Sequence, residues 1–145
     1  MARGKADFAA LRETVGLTQA ALAEELGVNP RSVKRWEQPG MEGYEPPQDA
    51  WDVLDAYDET QRQMVDHCRE TAVQAREQAG HMPAEVRLTY YRNQAQYDEL
   101  GRDDGWYGVA NANARAVAAE LRRCGFEVRF AYPGEGAIST PGSRY

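Results

Sequence analysis

Apolar positions recur at helical spacing through the first third of the chain, and turn residues interrupt them at short intervals. Phe8, Leu11 and Val15 follow Asp7 with three- and four-residue steps, and Gly16 offers a left-handed stop. Thr18 is placed to cap a second helix, TQAALAEEL, with Leu22 and Leu26 one turn apart on its inner face. Gly27 ends it. Asn29 can cap a third helix whose first residue is Pro30, a position where a missing N–H costs nothing. Val33 and Trp36 are spaced to face inward together, and Pro39-Gly40 stops the run before the loop MEGYEPPQ.

From Ala50 to Gln78 there is no proline or glycine. Trp51, Leu54 and Tyr57, then Met64, Val65, Cys68, Ala72 and Ala75, predict one long helix or two with a break near Asp58-Glu59-Thr60. Beyond Gly80 and Pro83 the period changes. EVRLTYYR alternates and predicts a strand, QAQYDEL a helical turn or two, and WYGVANANARAVAAELRRCG an alanine-rich helix ended by Gly125. EVRFAYP predicts a second strand with Val128, Phe130 and Tyr132 on one face, and the tail GEGAISTPGSRY is rich in glycine, proline and serine. The expected fold is mainly α: a four- to five-helix domain over residues 1–57, a long helix or linker over 58–83, a small α+β module (strand-helix-helix-strand) over 84–132, and a loose tail over 133–145.

Charge sharpens this picture. The 145-residue chain carries a formal net charge of -6, but residues 46–80 hold 8 acidic and 3 basic residues, so the acidity is concentrated there. That argues against indiscriminate polyanion binding and leaves room for a local basic patch at Arg31, Lys34 and Arg35. No apolar run approaches about 18 residues, so no membrane span is expected, and the N-terminus has no secretory pattern. Cys68 and Cys124 are far apart, which fits reduced thiols of a cytoplasmic protein and neither a disulfide framework nor a metal site. No cofactor is implied.

The two short helices around Gly27 form the densest constellation. A small residue, Ala23, stands where the helices must cross closely, and the glycine permits the positive φ of a tight turn. The second helix then presents Val33 and Trp36 to its own core and Arg31, Ser32, Lys34 and Arg35 outward, a shape that a major groove accepts. TQAALAEELGVNPRSVKRWEQPG resembles the helix-turn-helix of Cro/C1-type (XRE-like) transcriptional regulators: Thr-Gln, Leu-Ala, Leu-Gly-Val, and a short helix ending in Trp-Glu before a glycine. The resemblance covers about Phe8 to Leu54 and implies a DNA-binding domain whose third helix enters the major groove of operator DNA. It implies that Gln19 touches a phosphate or a nearby base, and that Pro30, Arg31 and Ser32 stand at the groove entry with Arg35 one turn further in. Thr18 and Asn29, the two caps, join this DNA-facing set. A guanidinium suits the two acceptors of guanine, so Arg31 and Arg35 are expected at bases, and Lys34 at a phosphate. Pro30 replaces the polar residue often found at its position and offers only apolar contact. The resemblance also implies that Arg12 pairs with Glu37 inside the domain, a structural pair and not a DNA contact.

Such regulators bind as two-fold dimers because one recognition helix covers too little DNA. Residues 84–132, with their alanine-rich helix and the aromatic set Tyr90, Tyr91, Tyr97, Trp106, Tyr107, Phe126, Phe130 and Tyr132, are expected to form a core and to supply a homodimer contact. In outline this half resembles the dimerisation region of anti-CRISPR-associated repressors. No catalytic residue is expected. Glu99, Asp103 and Asp104 near Trp106, and Asn111, Asn113 and Arg115, lack a nucleophile–base pairing and fit caps and turns. The expected function is a sequence-specific transcriptional repressor acting as a homodimer on a palindromic operator. An antitoxin that sequesters a toxin protein, and a small-molecule-sensing regulator, are the alternatives.

Overall fold

The computed structural model describes residues 2–83 and 85–135. The chain divides into two compact units, Met1–Glu59 and Thr60–Tyr145. The fold is mainly helical with a small two-stranded sheet.

The first unit contains α1 (Lys5–Val15), α2 (Gln19–Leu26), α3 (Pro30–Glu37) and the start of α4 (Gln48–Ala79). α1 begins two residues before Asp7. Gly4 is its N-cap, and the Asp7 carboxylate turns back to accept from the Gly4 N–H at 2.7 Å. The sequence marked the capping carboxylate and not the cap itself. Gly16 and Gly27 close α1 and α2 with φ of 88° and 67°, a region that side chains rarely adopt. Phe8 lies at the centre, fully buried, with its ring edge-on to Trp51 at 4.9 Å and to Trp36 at 6.1 Å. Val15, Leu17, Leu22, Val33 and Leu54 complete this core, while Leu26, expected inside, is only half-buried. It sits on the final turn of α2, where the chain has already begun to leave the core.

α4 runs unbroken through Asp58-Glu59-Thr60. What changes there is the packing, since the boundary between the units falls at Glu59 and Thr60. In the second unit Met64 is buried with Leu88, Val117, Ala118, Leu121, Phe126 and Val128, and Val65, Cys68, Ala72 and Val73 pack against them. Residues 64–73 are thus part of a core.

β1 (Val86–Thr89) pairs in parallel with β2 (Val128–Ala131), Val86 opposite Val128 and Leu88 opposite Phe130. Parallel neighbours need a long crossover, supplied by α5 (Gln94–Leu100) and α6 (Tyr107–Arg123). α6 is buried all round between Val109 and Ala114, where its alanines and two asparagines leave space for close neighbours. Both asparagines have partners. Asn111 accepts from Tyr91 N–H and donates to Tyr91 C=O, both at 2.9 Å, and Asn113 accepts from Gln61 at 3.3 Å. Asp103 accepts from the Tyr97 hydroxyl at 2.7 Å and from Gly105 N–H at 2.9 Å, a turn-and-cap role for one of the acidic cluster.

The aromatic set splits. Tyr91, Tyr97 and Phe126 are buried, whereas Phe130 and Tyr132 are exposed. Alternation correctly puts Phe130 on the side of Val128, but α6 covers only the first of them. Phe130 instead meets Tyr90 edge-on at 5.4 Å and lies under the Arg122 guanidinium at 5.6 Å. The expected tail lies, from residue 136 onward, outside the described residues.

Candidate nucleic-acid interface

α3 is built to be two-faced. Asn29 caps it, its side-chain oxygen accepting from Arg31 N–H at 2.9 Å, and Pro30 occupies the first turn. Val33 and Trp36 are buried; Arg31 and Lys34 are exposed, and Ser32 and Arg35 partly so. Arg31 and Arg35, four residues apart, lie one above the other on the outer face, with Lys34 beside them. Thr18 caps α2 by accepting from Ala21 N–H at 3.0 Å, which leaves its own O–H as a donor. The structure therefore brings Thr18, Asn29, Pro30, Arg31, Ser32, Lys34 and Arg35 to the exposed ends and outer face of the α2–α3 pair.

The cations of this face are grouped, among the described residues, without carboxylate partners. Arg3, Arg12, Arg69, Arg87, Arg123 and Arg129 each have a carboxylate within 4 Å. Among the described residues, no such partner stands beside Arg31, Lys34 or Arg35. In a chain with 23 acidic and 17 basic residues, three neighbouring cations without carboxylates form a local positive patch.

Behind that face, Arg12 and Glu37 form a two-pronged pair. Nε donates to one carboxylate oxygen at 2.6 Å and one terminal nitrogen to the other at 2.8 Å. The second terminal nitrogen donates at 2.9 Å to the C=O of Leu17, the second residue after α1. Side-chain exposure is only 11% and 9%, so solvent screens the pair little. The hydrogen bond to Glu37, helped by the charges of Glu37 and Glu13 and opposed by burial, raises the Arg12 pKa above its ordinary value, so its charge is permanent. One pair thus links the end of α1 to the end of α3.

Gln19 belongs to the same cluster. Its amide donates to Glu37 at 3.1 Å, which fixes the side chain and leaves the second amide hydrogen as the group that could meet DNA. No local pattern announces this tether, since 18 residues separate its ends.

Sequence reasoning also missed Lys5. Its ammonium donates to the carbonyls of Tyr44 at 2.7 Å, Arg35 at 2.9 Å and Trp36 at 3.3 Å. The last turn of any helix leaves carbonyls unpaired, and a cation there also meets the negative end of the helix dipole. The only local signal was a lysine in the first turn of α1, thirty or more residues from the atoms it holds. In the loop after α3, Met41–Tyr44 make a turn with Gly43 at φ 82°, closed by Tyr44 N–H to Met41 C=O at 3.3 Å. Tyr44 is exposed, and the Arg35 guanidinium lies 5.3 Å from its ring centre.

A family model described as helix-turn-helix matches residues 8–38. That segment is a helix-turn-helix of the Cro/C1 type, and it supports a DNA-binding transcriptional regulator. The match does not extend to residues 84–132. No curated protein matches the chain. Among the described residues no helix is long and apolar enough to cross a membrane.

Proposed function

We propose, from the premise that residues 8–38 are a Cro/C1-type helix-turn-helix, that this protein is a sequence-specific transcriptional repressor binding a palindromic operator as a homodimer. The observation that carries the reading is the uncompensated cationic face of α3, held rigid from behind by Arg12 and Glu37. Arg31 and Arg35 read guanines in the major groove, Lys34 holds a phosphate, and Pro30 packs against a thymine methyl. Thr18, Gln19, Asn29 and Ser32 supply neutral donors around them. Surplus acidity in residues 46–80 lowers affinity for DNA in general, so that base contacts decide where the protein stays. The role is one of binding, without catalysis, in the cytoplasm.

A two-fold operator calls for two copies of the chain, with half-sites about one helical turn, roughly 10 base pairs, apart. DNA selected from a random pool by the purified protein tests this. The expected product is an inverted repeat with that spacing, bound at two chains per duplex. Selection of a single unrepeated site bound by one chain would contradict the dimer, and a stoichiometric complex with a toxin protein would favour the antitoxin alternative.

A further inference from the structure

Two contacts in the first unit converge on Arg35, and a third joins their partners Lys5 and Tyr44. The guanidinium carbon lies over the ring of Tyr44, 5.3 Å from its centre. The backbone carbonyls of both residues accept from the same Lys5 ammonium, at 2.9 Å for Arg35 and 2.7 Å for Tyr44. The turn that delivers Tyr44 depends on Gly43 in a conformation that favours glycine. The backbones that carry the ring and the guanidinium are therefore both held by one atom. We infer that Tyr44, pinned through its carbonyl by Lys5, is a positioning residue that orients the Arg35 guanidinium for base reading. The inference rests on the repressor reading above.

The chemistry favours positioning over direct contact. An arginine side chain is long and loses rotamer freedom when it docks on a base; a ring that already restricts it removes part of that cost before binding. Cation–π stacking leaves the N–H edges of the guanidinium free to form two parallel hydrogen bonds. Glu42 lies within the turn and Glu45 follows it, and their charges oppose a phosphate approaching the Tyr44 hydroxyl. Lys5 spends its three donors inside the domain, on the carbonyls of residues 35, 36 and 44, which suits a structural clamp and not a phosphate contact.

The test uses the full chain and the operator it selects, together with a set of duplexes each altered at one base pair. Tyr44→Ala should reduce discrimination about threefold, the size of an exposed cation–π contact, at the single pair read by Arg35. Discrimination at the other pairs and the salt dependence of binding should stay unchanged. Tyr44→Phe, which keeps the ring, should behave as wild type. Lys5→Met should give the Tyr44→Ala pattern in a folded protein. If Tyr44→Ala leaves discrimination intact at every position, the inference is overturned while the repressor reading stands. Loss with Tyr44→Phe, spread equally over every altered duplex and not confined to one base pair, would make the Tyr44 hydroxyl a phosphate contact and also overturn it. A wild-type chain that selects no DNA sequence would instead sink the repressor reading itself.

Discussion

Replacing Arg12 with alanine should cost about 3–5 kcal/mol, the range for breaking a buried ion pair from one side. The loss is not that of an attraction alone. Glu37 would be left with its side chain 9% exposed and, among the described residues, with the Gln19 amide as its remaining partner, and Leu17 C=O would lose its donor. For a unit of about 60 residues the whole stability is on the order of 3–9 kcal/mol, so the substitution threatens the fold of the first unit outright. Urea unfolding followed by tryptophan fluorescence measures it. Trp36 and Trp51 belong to the first unit and Trp106 to the second, so a Trp106→Phe background isolates the relevant signal. The converse substitution sharpens the test. Arg12→Met with Glu37→Leu removes both charges at similar volume, and should recover most of the loss. If the double variant is as unstable as Arg12→Ala, the cause is the hydrogen bonds lost at Leu17 C=O and Gln19 and not an abandoned carboxylate.

Phe8→Ala should be as severe, also about 3–5 kcal/mol, for a different reason. Phe8 is fully buried, and its ring meets Trp51 and Trp36 edge-on. Trp36 is buried on α3, so the cavity opens directly behind that helix. The same fluorescence experiment should show a lower urea midpoint. Because both tryptophans lose a ring neighbour, their native-state emission should change even without denaturant. A variant as stable as wild type would mean that the two tryptophans close over the gap. Phe8→Leu keeps most of the apolar volume and should fall between the two.

The helix-turn-helix was legible because its signals are local. Thr18, Gly27, Asn29 and Pro30 each announce a cap or turn within a few residues of themselves, and Val33 and Trp36 announce a face by their spacing. Arg12 with Glu37 was legible for another reason, the resemblance, since 25 residues separate them. What stayed hidden is long-range and has no period. Lys5 clamps carbonyls 30 to 39 residues away, and a carbonyl has no letter in the sequence. The link from Asn111 to the backbone of Tyr91 is hidden for the same reason. In the second unit, alternation gave the strands and their faces. It could not say that Phe130 stays exposed while Val128 is buried, because coverage depends on where a neighbouring element lies. Likewise, the unbroken α4 carried no mark of the change in packing at Glu59, since helix propensity and burial are separate properties.

The central claim is that α3 reads bases, and Arg35 is its most direct test. Affinities of the wild-type chain and of Arg35→Ala are measured on the selected operator and on an unrelated duplex at one salt concentration. The account predicts a loss of about 1–3 kcal/mol on the operator, the worth of one two-pronged guanine contact, with a much smaller loss on the unrelated duplex. Equal losses on both duplexes would contradict it and make Arg35 a phosphate contact.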